Sequence, residues 1–282
     1  MILSDGTMIT KVDRPPYESQ ERFLMEVMFD GTKFCGWQCQ NNDRTVQEDI
    51  QNLLSGIYAG LPIKVSGSSR TDSGVHARGM AATFAAPLRP TIEREKLRRA
   101  MNRMLPTDIR IRKIRSRPMD FSPRFDAIGK AYVYVLNLGD ENPFSSGYSW
   151  QLRKMMDIAA MQEAAAVLVG KHDFSSFVVH RSQIDEAVRT IYRIEFERFD
   201  NYLCISFVGN SFLYKMIRCL TGLLVAIGRG ELGSSEVKGI LEGQDRQLAP
   251  QTAPAHGLFL MKVFYENKEM EQWKLRTVPF FV

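Results

Sequence analysis

The sequence predicts an α+β fold in which two ferredoxin-like halves, each of order β-α-β-β-α-β, join into one mixed, mostly antiparallel sheet. Three observations predict it. The chain has 282 residues, enough for two units of roughly 150 residues each. Strand-like alternation gives way repeatedly to helical spacing of apolar residues, and the second half repeats the order of the first. We expect helices on one face of the sheet and an active-site cleft on the other.

The first half supplies its elements in the expected order. A turn-forming Asp30-Gly31 pair closes the first strand, and helical spacing follows the capping-box sequence Thr45-Val-Gln-Glu48. The predicted elements are a strand at 22–29, a helix starting near 45, two strands around a polar loop within 63–86, a helix at 91–104 and a strand at 109–115.

The second half repeats this plan with a longer C-terminal part. Gly170 is placed to end an apolar helix, and a turn-like Phe199-Asp200-Asn201 joins two strands of a hairpin. The predicted elements are a strand at 130–138, a helix at 156–169, hairpin strands at 188–197 and 202–208, a helix starting at Ser211, a short helix near 234–241 and a last strand at 257–265.

These elements divide the chain into four parts. The two middle parts are the ferredoxin-like halves, and the first of them carries the polar loop. The predicted parts are an N-terminal extension at 1–21, the N-terminal half at 22–120, the C-terminal half at 121–270 and a tail at 271–282.

Composition excludes several classes of protein. The chain is 44% apolar and 24% charged, which is typical of an ordinary globular protein. No apolar run approaches the roughly 18 residues that a spanning helix needs, so no membrane partner is expected. Four cysteines do not make a disulfide framework, and they share no metal-ligand spacing with the four histidines. We therefore expect reduced thiols, a cytoplasmic location and no zinc.

Positive charge is concentrated in one region. The segment from Arg89 to Lys130 holds 13 Lys and Arg against 5 Asp and Glu, whereas the whole chain has a net charge of +5. Such a region is expected of a protein that binds a polyanion, because Lys and Arg release counterions condensed on phosphates. On charge alone, a solvated basic helix without a ligand is an equally good interpretation.

The polar segment 66–77 is longer than a simple turn between two strands requires. It holds Arg70, Asp72 and His76 among small residues, which allow a ligand or backbone to approach closely. From composition alone, an Asx turn in which Asp72 accepts hydrogen bonds from nearby backbone is the favoured interpretation.

Six segments in order resemble the TruA family of tRNA pseudouridine synthases. The sequence SSRTDSGVHARG at 68–79 resembles the family's G-R-T-D-x-G-V-H signature. Two departures are small: Ser73 stands where Ala is commoner, and Cys219 stands where Asn is frequent, which could alter how Arg218 is held. The other matching segments are DGTKFCGWQCQ (30–40), FDAIGKAYVYVL (125–136), GKHDFSSF (170–177), GNSFLYKMIRCLTG (209–222) and HGLFL (256–260).

The resemblance implies a reaction centred on Asp72. Converting uridine to pseudouridine breaks the N1–C1′ bond and joins C5 to C1′, so it needs neither a redox change nor a cofactor. Asp72 would be the carboxylate that acts on the sugar or the base. An ionised carboxylate shielded from water needs a cation nearby, and the resemblance assigns that role to Arg218. Without the resemblance, Arg218 is best interpreted as a surface residue of an amphipathic helix.

The resemblance also implies which residues bind the substrate. Tyr132 would stack on the target base and help to move its proton, although Tyr134 shares its strand face and could be confused with it. Arg70 would fill the space left by the extruded nucleotide, since base extrusion costs free energy. Leu258 would form part of the apolar wall against the uracil. The partner would be tRNA, modified at positions 38 to 40 of the anticodon arm by a homodimer.

Other interpretations remain at this stage. A non-catalytic RNA-binding protein of paired ferredoxin-like units is the main alternative, since related sheets bind RNA through exposed aromatic residues. A hydrolase using Asp72 and His76 ranks last, because no nucleophile elbow or metal set accompanies them. We expect His76 and His172 to hydrogen-bond loop backbone and Trp37 to serve packing.

Overall fold

The computed structural model describes residues 20–87, 92–153, 155–178 and 186–280. Within them the strands are β1 (Gln20–Phe29), β2 (Val65–Gly67), β3 (His76–Pro87), β4 (Ile109–Arg117), β5 (Gly129–Asn137), β6 (Trp150–Gln151), β7 (Gly170–Asp173), β8 (Val188–Phe199), β9 (Tyr202–Gly209) and β10 (Leu258–Phe264). The helices are α1 (Val46–Ile57), α2 (Arg94–Met104), α3 (Ile158–Leu168), α4 (Met216–Gly228), α5 (Glu236–Gly243) and α6 (Asn267–Gln272).

All ten of these strands belong to one sheet. Its order is β4-β1-β3-β10-β5-β9-β8-β7, with β2 paired to β3 and β6 paired to β5. Most pairs are antiparallel, while β3 pairs in parallel with β10 and β5 with β6. The α+β class and the mixed, mostly antiparallel sheet are therefore confirmed.

The β3–β10 pair joins the two halves and determines where their loops meet. Phe259 lies opposite His76, and Leu260 lies opposite Ala77, in a parallel register. Parallel strands start at the same end of a sheet. The loop before β3, which carries the polar segment, and the segment before β10 therefore lie side by side at the centre of the sheet.

One face of the sheet carries helices α1 to α5. Residues of these helices share a single core cluster with alternate strand residues, among them Met25, Phe84, Tyr134 and Phe207. Side chains of successive strand residues point to opposite faces, so Tyr132 and Tyr134 both face these helices, as their membership of the same cluster shows.

Over β5, β9 and β10, the opposite face is covered by the chain that follows β10. Val133, Val135 and Phe259 form a separate buried cluster with Val278, against which Phe280 packs. Over β5, β9 and β10 the face without helices is therefore not an open cleft, and over the other strands the cleft stays a prediction. Alternation along a strand reveals two faces but not which is covered, and here the C-terminal segment buries the apolar side chains of the second face.

One predicted helix start is wrong, and another is confirmed without its predicted cap. Helix α4 begins at Met216 rather than at Ser211, and Lys215 before it has a left-handed φ of 58°. The residues in between stay out of the helix and place the Phe212 ring edge-on to Tyr132, with centroids 5.4 Å apart. Thr45 precedes α1, but its side chain makes no capping hydrogen bond.

The division of the chain remains partly a prediction. The predicted boundary at 120/121 falls in the connection between β4 and β5, and the strands on both sides belong to one continuous sheet. Most of the predicted extension at 1–21 lies outside the described residues. Among the helices that the structure describes, none has the length and apolar character needed to cross a bilayer.

Candidate active site

A buried ion pair between Asp72 and Arg218 links the two halves of the chain. Arg218 Nη1 donates to Asp72 Oδ2 at 2.6 Å across 146 residues of sequence. The side chains are only 13% and 14% exposed, respectively. No group among the described residues donates a hydrogen bond to the second carboxylate oxygen, Oδ1. The pair therefore holds the Asp72 carboxylate beside a guanidinium and leaves its Oδ1 without a donor among the described residues.

The segment that leads into β10 holds Arg218 in place. Arg218 Nε donates to the carbonyl oxygen of Ala253 at 2.8 Å, and the Ala253 amide donates back to the Arg218 carbonyl at 3.0 Å. One nitrogen of the planar guanidinium thus donates to the Asp72 carboxylate, and another donates to the Ala253 carbonyl. Cys219, the departure from the family pattern, is buried and lies 3.4 Å from the Thr252 hydroxyl. It contacts the same supporting segment.

Tyr132 lies beside this pair. It is 7% exposed. Burial and the negative charge of Asp72 raise the pKa of its phenol to about 12, although a hydrogen bond with Ser69 opposes the shift. The phenol is therefore uncharged at neutral pH, and the Asp72 charge acts on it directly.

Tyr134 has a different role from Tyr132, which removes the confusion between them. Its hydroxyl donates to the carbonyl oxygen of Pro254 at 2.7 Å. Burial raises its pKa well above the usual range. A Cβ at Gly257 would lie 2.7 Å from the Tyr134 ring, so only glycine permits this close approach. Tyr134 anchors the segment that supports Arg218.

The Asp72 loop is supported from behind by the segment 31–37. Gly36 has a φ of 88°, and a Cβ there would lie 2.3 Å from the Thr71 carbonyl oxygen. The Trp37 amide donates to that same oxygen at 3.3 Å. A Cβ at Gly31 would lie 2.1 Å from the Val75 carbonyl oxygen. These glycines allow two backbone segments to pack directly against each other, and sequence reasoning had given them no such role.

The two remaining predicted site residues, Leu258 and Arg70, differ in their surroundings: one is buried and the other is exposed. Leu258 starts β10 opposite Tyr134, is 6% exposed and belongs to the same core cluster as Tyr132. Arg70 is exposed, and no hydrogen bond or ion pair joins its side chain to the part of the chain that the structure describes. Leu258 thus lies on the strand next to the one that carries Tyr132, whereas Arg70 is not brought into contact with the Asp72–Arg218 pair.

The histidines and Trp37 have the structural surroundings that we expect. His76 Nε2 lies 3.1 Å from the carbonyl oxygens of Gly147 and His256, and the Gly31 amide donates to its Nδ1. The His172 ring lies 3.0 Å from the Val169 carbonyl oxygen. Trp37 is 2% exposed in the core. Both histidines therefore hydrogen-bond backbone.

Metal ligands, thiols and the basic segment are the remaining features that the sequence analysis singled out. Among the described residues, no group of three or more His, Cys, Asp or Glu side chains could hold a metal ion. All four cysteines are free thiols. Within the basic segment, Arg98 pairs with Glu95, and Arg112 lies 3.4 Å from Glu26, so surface carboxylates neutralise part of its charge.

Comparison with known proteins gives the family. A family model described as tRNA pseudouridine synthase matches residues 25–126 and 164–266. A tRNA pseudouridine synthase A from Anoxybacillus flavithermus is 39% identical over 246 residues, covering 87% of this chain and 99% of that protein. The protein of the same name from Halalkalibacterium halodurans is 39% identical over 255 residues, covering 90% of this chain and 96% of that one.

A further relative agrees with these two. The tRNA pseudouridine synthase A from Exiguobacterium sibiricum is 40% identical over 248 residues, covering 88% of this chain and 98% of its own length. A solved chain of a Cbf5-Nop10-Gar1 complex covers 72% of this chain and 54% of its own at 14% identity, and its TM-score of 0.30 is too low to support an argument.

The two matched stretches include both Asp72 and Arg218. The chain is an isomerase of the pseudouridine synthase class, built on one mixed sheet. It belongs to the tRNA pseudouridine synthase family. The resemblance noted from the six sequence segments is thereby confirmed.

Replacing Gly36 with alanine is expected to damage both stability and activity. The new Cβ would press on the Thr71 carbonyl next to Asp72, at a φ that L side chains rarely adopt. Strain and displacement together should lower the free energy of unfolding by about 3 kcal/mol and reduce activity more than about tenfold. Urea unfolding and pseudouridine formation measure these two effects.

Gly60 provides the matched control. Its φ is 84°, but a Cβ there would have no neighbour within 4 Å. Gly60→Ala should therefore cost only the backbone strain, about 1 kcal/mol, and leave activity unchanged. Equal effects of the two substitutions on activity would show that contact with the Asp72 loop is not what matters.

Proposed function

We propose that this protein converts uridine to pseudouridine in tRNA, with Asp72 as the reacting carboxylate. The observation that carries the proposal is the Asp72–Arg218 ion pair, which is buried beside Tyr132 and has one carboxylate oxygen free among the described residues. A negative oxygen held in a site that excludes water acts on a substrate without first losing its own hydration shell.

The atoms of the reaction balance without any further reactant. The N1–C1′ bond of uridine breaks, the freed uracil turns, and C5 bonds to C1′. The proton on C5 is lost and N1 gains one, so substrate and product have the same composition. The proposed part of Asp72 is to assist the break or the rejoining, by bonding to the sugar or base or by taking a proton in an elimination.

The other side chains serve binding and proton movement in this proposal. Tyr132 stacks on the uracil, and its phenol, which is uncharged at neutral pH, has a proton to donate. Leu258 contributes apolar surface on the same face. Arg70, which is exposed, fills the space from which the nucleotide is extruded, and this role requires it to move toward the RNA.

The proposed target is positions 38 to 40 of the anticodon arm, and the proposed assembly is a homodimer in which one tRNA contacts both subunits. The family resemblance supports both points. The four free thiols support a cytoplasmic location. Light scattering after size exclusion would test the assembly, and a monomer that forms pseudouridine at full rate would contradict it.

The reaction is tested with unmodified tRNA that carries tritium on C5 of its uridines. Because C5 loses its hydrogen when it bonds to C1′, each turnover releases tritium to water. We expect release together with pseudouridine among the nucleosides of the digested tRNA. Tight binding of tRNA without any tritium release would instead favour the non-catalytic RNA-binding alternative.

Removing the Tyr132 hydroxyl is expected to slow the reaction while preserving the RNA complex. Tyr132→Phe keeps the ring that stacks on the base but removes the group that exchanges a proton. The rate of tritium release at saturating tRNA should fall by about 100-fold, with tRNA affinity changed less than about threefold.

Tyr134→Phe is the matched control on the same strand face. It removes the hydrogen bond to Pro254, so it should lower the free energy of unfolding by about 1 kcal/mol with little loss of rate. A rate loss for Tyr134→Phe as large as that for Tyr132→Phe would contradict the division of roles.

A further inference from the structure

Three cations lie together next to the proposed active site, and we call Arg124, Lys130 and Arg189 the three-cation cluster. Lys130 is the second residue of β5 and shares its strand face with Tyr132. Arg124 is exposed in the loop before β5, and Arg189 is the second residue of β8. Each arginine lies close enough for its charge to lower the pKa of the Lys130 ammonium.

Lys130 joins this cluster to the Asp72 loop. The side chain is buried, with the residue 8% exposed, and Nζ donates to the carbonyl oxygen of Ser68 at 2.8 Å. An ammonium group has three hydrogens to donate, and no second acceptor is found for Nζ among the described residues.

The described residues supply no carboxylate that pairs with the cluster. No Asp or Glu oxygen of the described residues lies within ion-pair distance of any of the three cations, although Glu186 is near enough to act on Arg189. Arg189 Nη1 donates to the backbone carbonyls of Glu186 and Val188, and its buried Nε has no hydrogen-bond partner in the part of the chain that the structure describes. Among the described residues, therefore, no salt bridge neutralises the positive charge of the cluster.

Such a cluster is unfavourable in the protein alone. Burial and the charges of Arg124 and Arg189 lower the pKa of Lys130 to about 8. Like charges held close together repel, and Lys130 and Arg189 also lose part of their hydration through burial. A bound anion removes both costs at once, because it offers acceptors to the unpaired donors and balances the charge.

We propose that Arg124, Lys130 and Arg189 form a subsite for one backbone phosphate of the RNA strand, next to the uridine at Asp72. The inference rests on the proposed function. Two residues along a strand separate Lys130 from Tyr132 by about 7 Å, a distance that one nucleotide spans. A phosphate bound here would fix the strand on one side of the extruded uridine and, through Lys130 and Ser68, would contact the Asp72 loop.

The test uses an anticodon-arm hairpin in which one phosphate at a time is replaced by an uncharged methylphosphonate. Fluorescence anisotropy gives the affinity of each hairpin for the wild type and for Lys130→Met. With the wild type, one position adjacent to the modified uridine should weaken binding about tenfold. With Lys130→Met, that replacement should cost clearly less than with the wild type, because one of the three contacts has already been removed.

Two further variants test the same phosphate contact in case Lys130→Met does not fold. Arg124 is exposed, so Arg124→Met should fold normally. Like Arg189→Met, it should reduce the loss of affinity that the methylphosphonate at this position causes. Each lost contact should also reduce the slope of log affinity against log salt by about 0.7 to 0.9. Lys238→Met is the control, since Lys238 is exposed on α5 beside Glu242 and should change neither readout.

The pH dependence of binding gives an independent readout. A bound phosphate favours the charged ammonium, whose pKa in the free protein is lowered to about 8 by burial, Arg124 and Arg189. Affinity should therefore be full below about pH 8 and fall as the pH rises beyond it. Lys130→Arg, which keeps its charge, should lose this dependence.

The outcomes separate this inference from the proposed function. Absence of pseudouridine formation by the wild type would overturn the proposed function. Pseudouridine formation with methylphosphonate effects that are equal in the wild type and in all three variants would overturn the phosphate subsite alone. In that case, Lys130 would merely hold Ser68, and its loss would lower the rate equally for every hairpin.

Discussion

Asp72→Asn is expected to abolish pseudouridine formation while leaving tRNA binding intact. The amide has the size of the carboxylate but carries no negative oxygen, so it can neither bond to the substrate nor take its proton. Removing a reacting group of this kind should lower the rate by at least about four orders of magnitude. Tritium release from C5-labelled tRNA measures the rate, and anisotropy with the same tRNA measures the affinity.

The neighbouring Ser73 offers a matched control. Among the described residues, its exposed side chain donates a hydrogen bond only to the Phe34 carbonyl, at 3.2 Å. Ser73→Ala should retain nearly full activity. Tritium release from Asp72→Asn or Asp72→Ala at the wild-type rate would contradict the assignment of Asp72 as the reacting carboxylate.

Arg218→Met is expected to produce the second-largest loss. It leaves the Asp72 side chain, which is 13% exposed, without its counter-charge. An unpaired charge that is shielded from water costs free energy. The rate should fall by about 1,000-fold, of the order found when a preorganised charge partner is removed. The free energy of unfolding should fall by about 2 kcal/mol. Both are measured at one pH, by tritium release and urea unfolding.

Two further variants identify the cause of that loss. Arg218→Lys keeps the charge but not the planar fork that bonds Asp72 and Ala253 together, so it should recover only part of the rate. In the Asp72→Asn background, Arg218→Met should cost less stability than in the wild type, since the partner charge is already gone. Additive effects on stability would contradict direct coupling of the two charges.

Arg246→Met separates the charge of Arg218 from the rigidity of its support. Arg246 bonds the carbonyls of Ala249 and Pro250 and the Thr252 hydroxyl, in the segment that also holds Arg218. Its loss should lower stability but reduce the rate far less than Arg218→Met does. An equal loss of rate would show that the segment, rather than the guanidinium charge, controls the site.

The fold was predictable wherever local pattern decides it. Alternation identified the long strands, and helical spacing identified α1, α3 and the stripe of α4, because these patterns record which side of each element is buried. The same patterns do not report contacts at a distance. The start of α4 was placed at Ser211, since nothing local shows that residues 211–215 stay outside the helix and bring Phe212 against Tyr132.

The site was predictable in its parts but not in its arrangement. The resemblance assigned Asp72, Arg218, Tyr132 and Leu258, whereas composition alone would have made Asp72 a turn residue and Arg218 a surface residue. The glycine contact behind the loop and the carbonyl partner of Lys130 were missed. The motif D-G-T-x-F-C-G-W carried a signal for the first, because closely spaced glycines mark close approaches of backbone.

Residue order and side-chain chemistry in this chain are enough to specify the strands, the helices, the polar loop and the family to which they belong. Tertiary structure alone decides that Asp72 meets Arg218 across 146 residues, that Tyr132 faces the helices, and that Arg124 and Arg189 lie near the buried Lys130. The physical reason is the parallel pairing of β3 with β10. This pairing sets two distant loops side by side, and no periodicity within either segment encodes it.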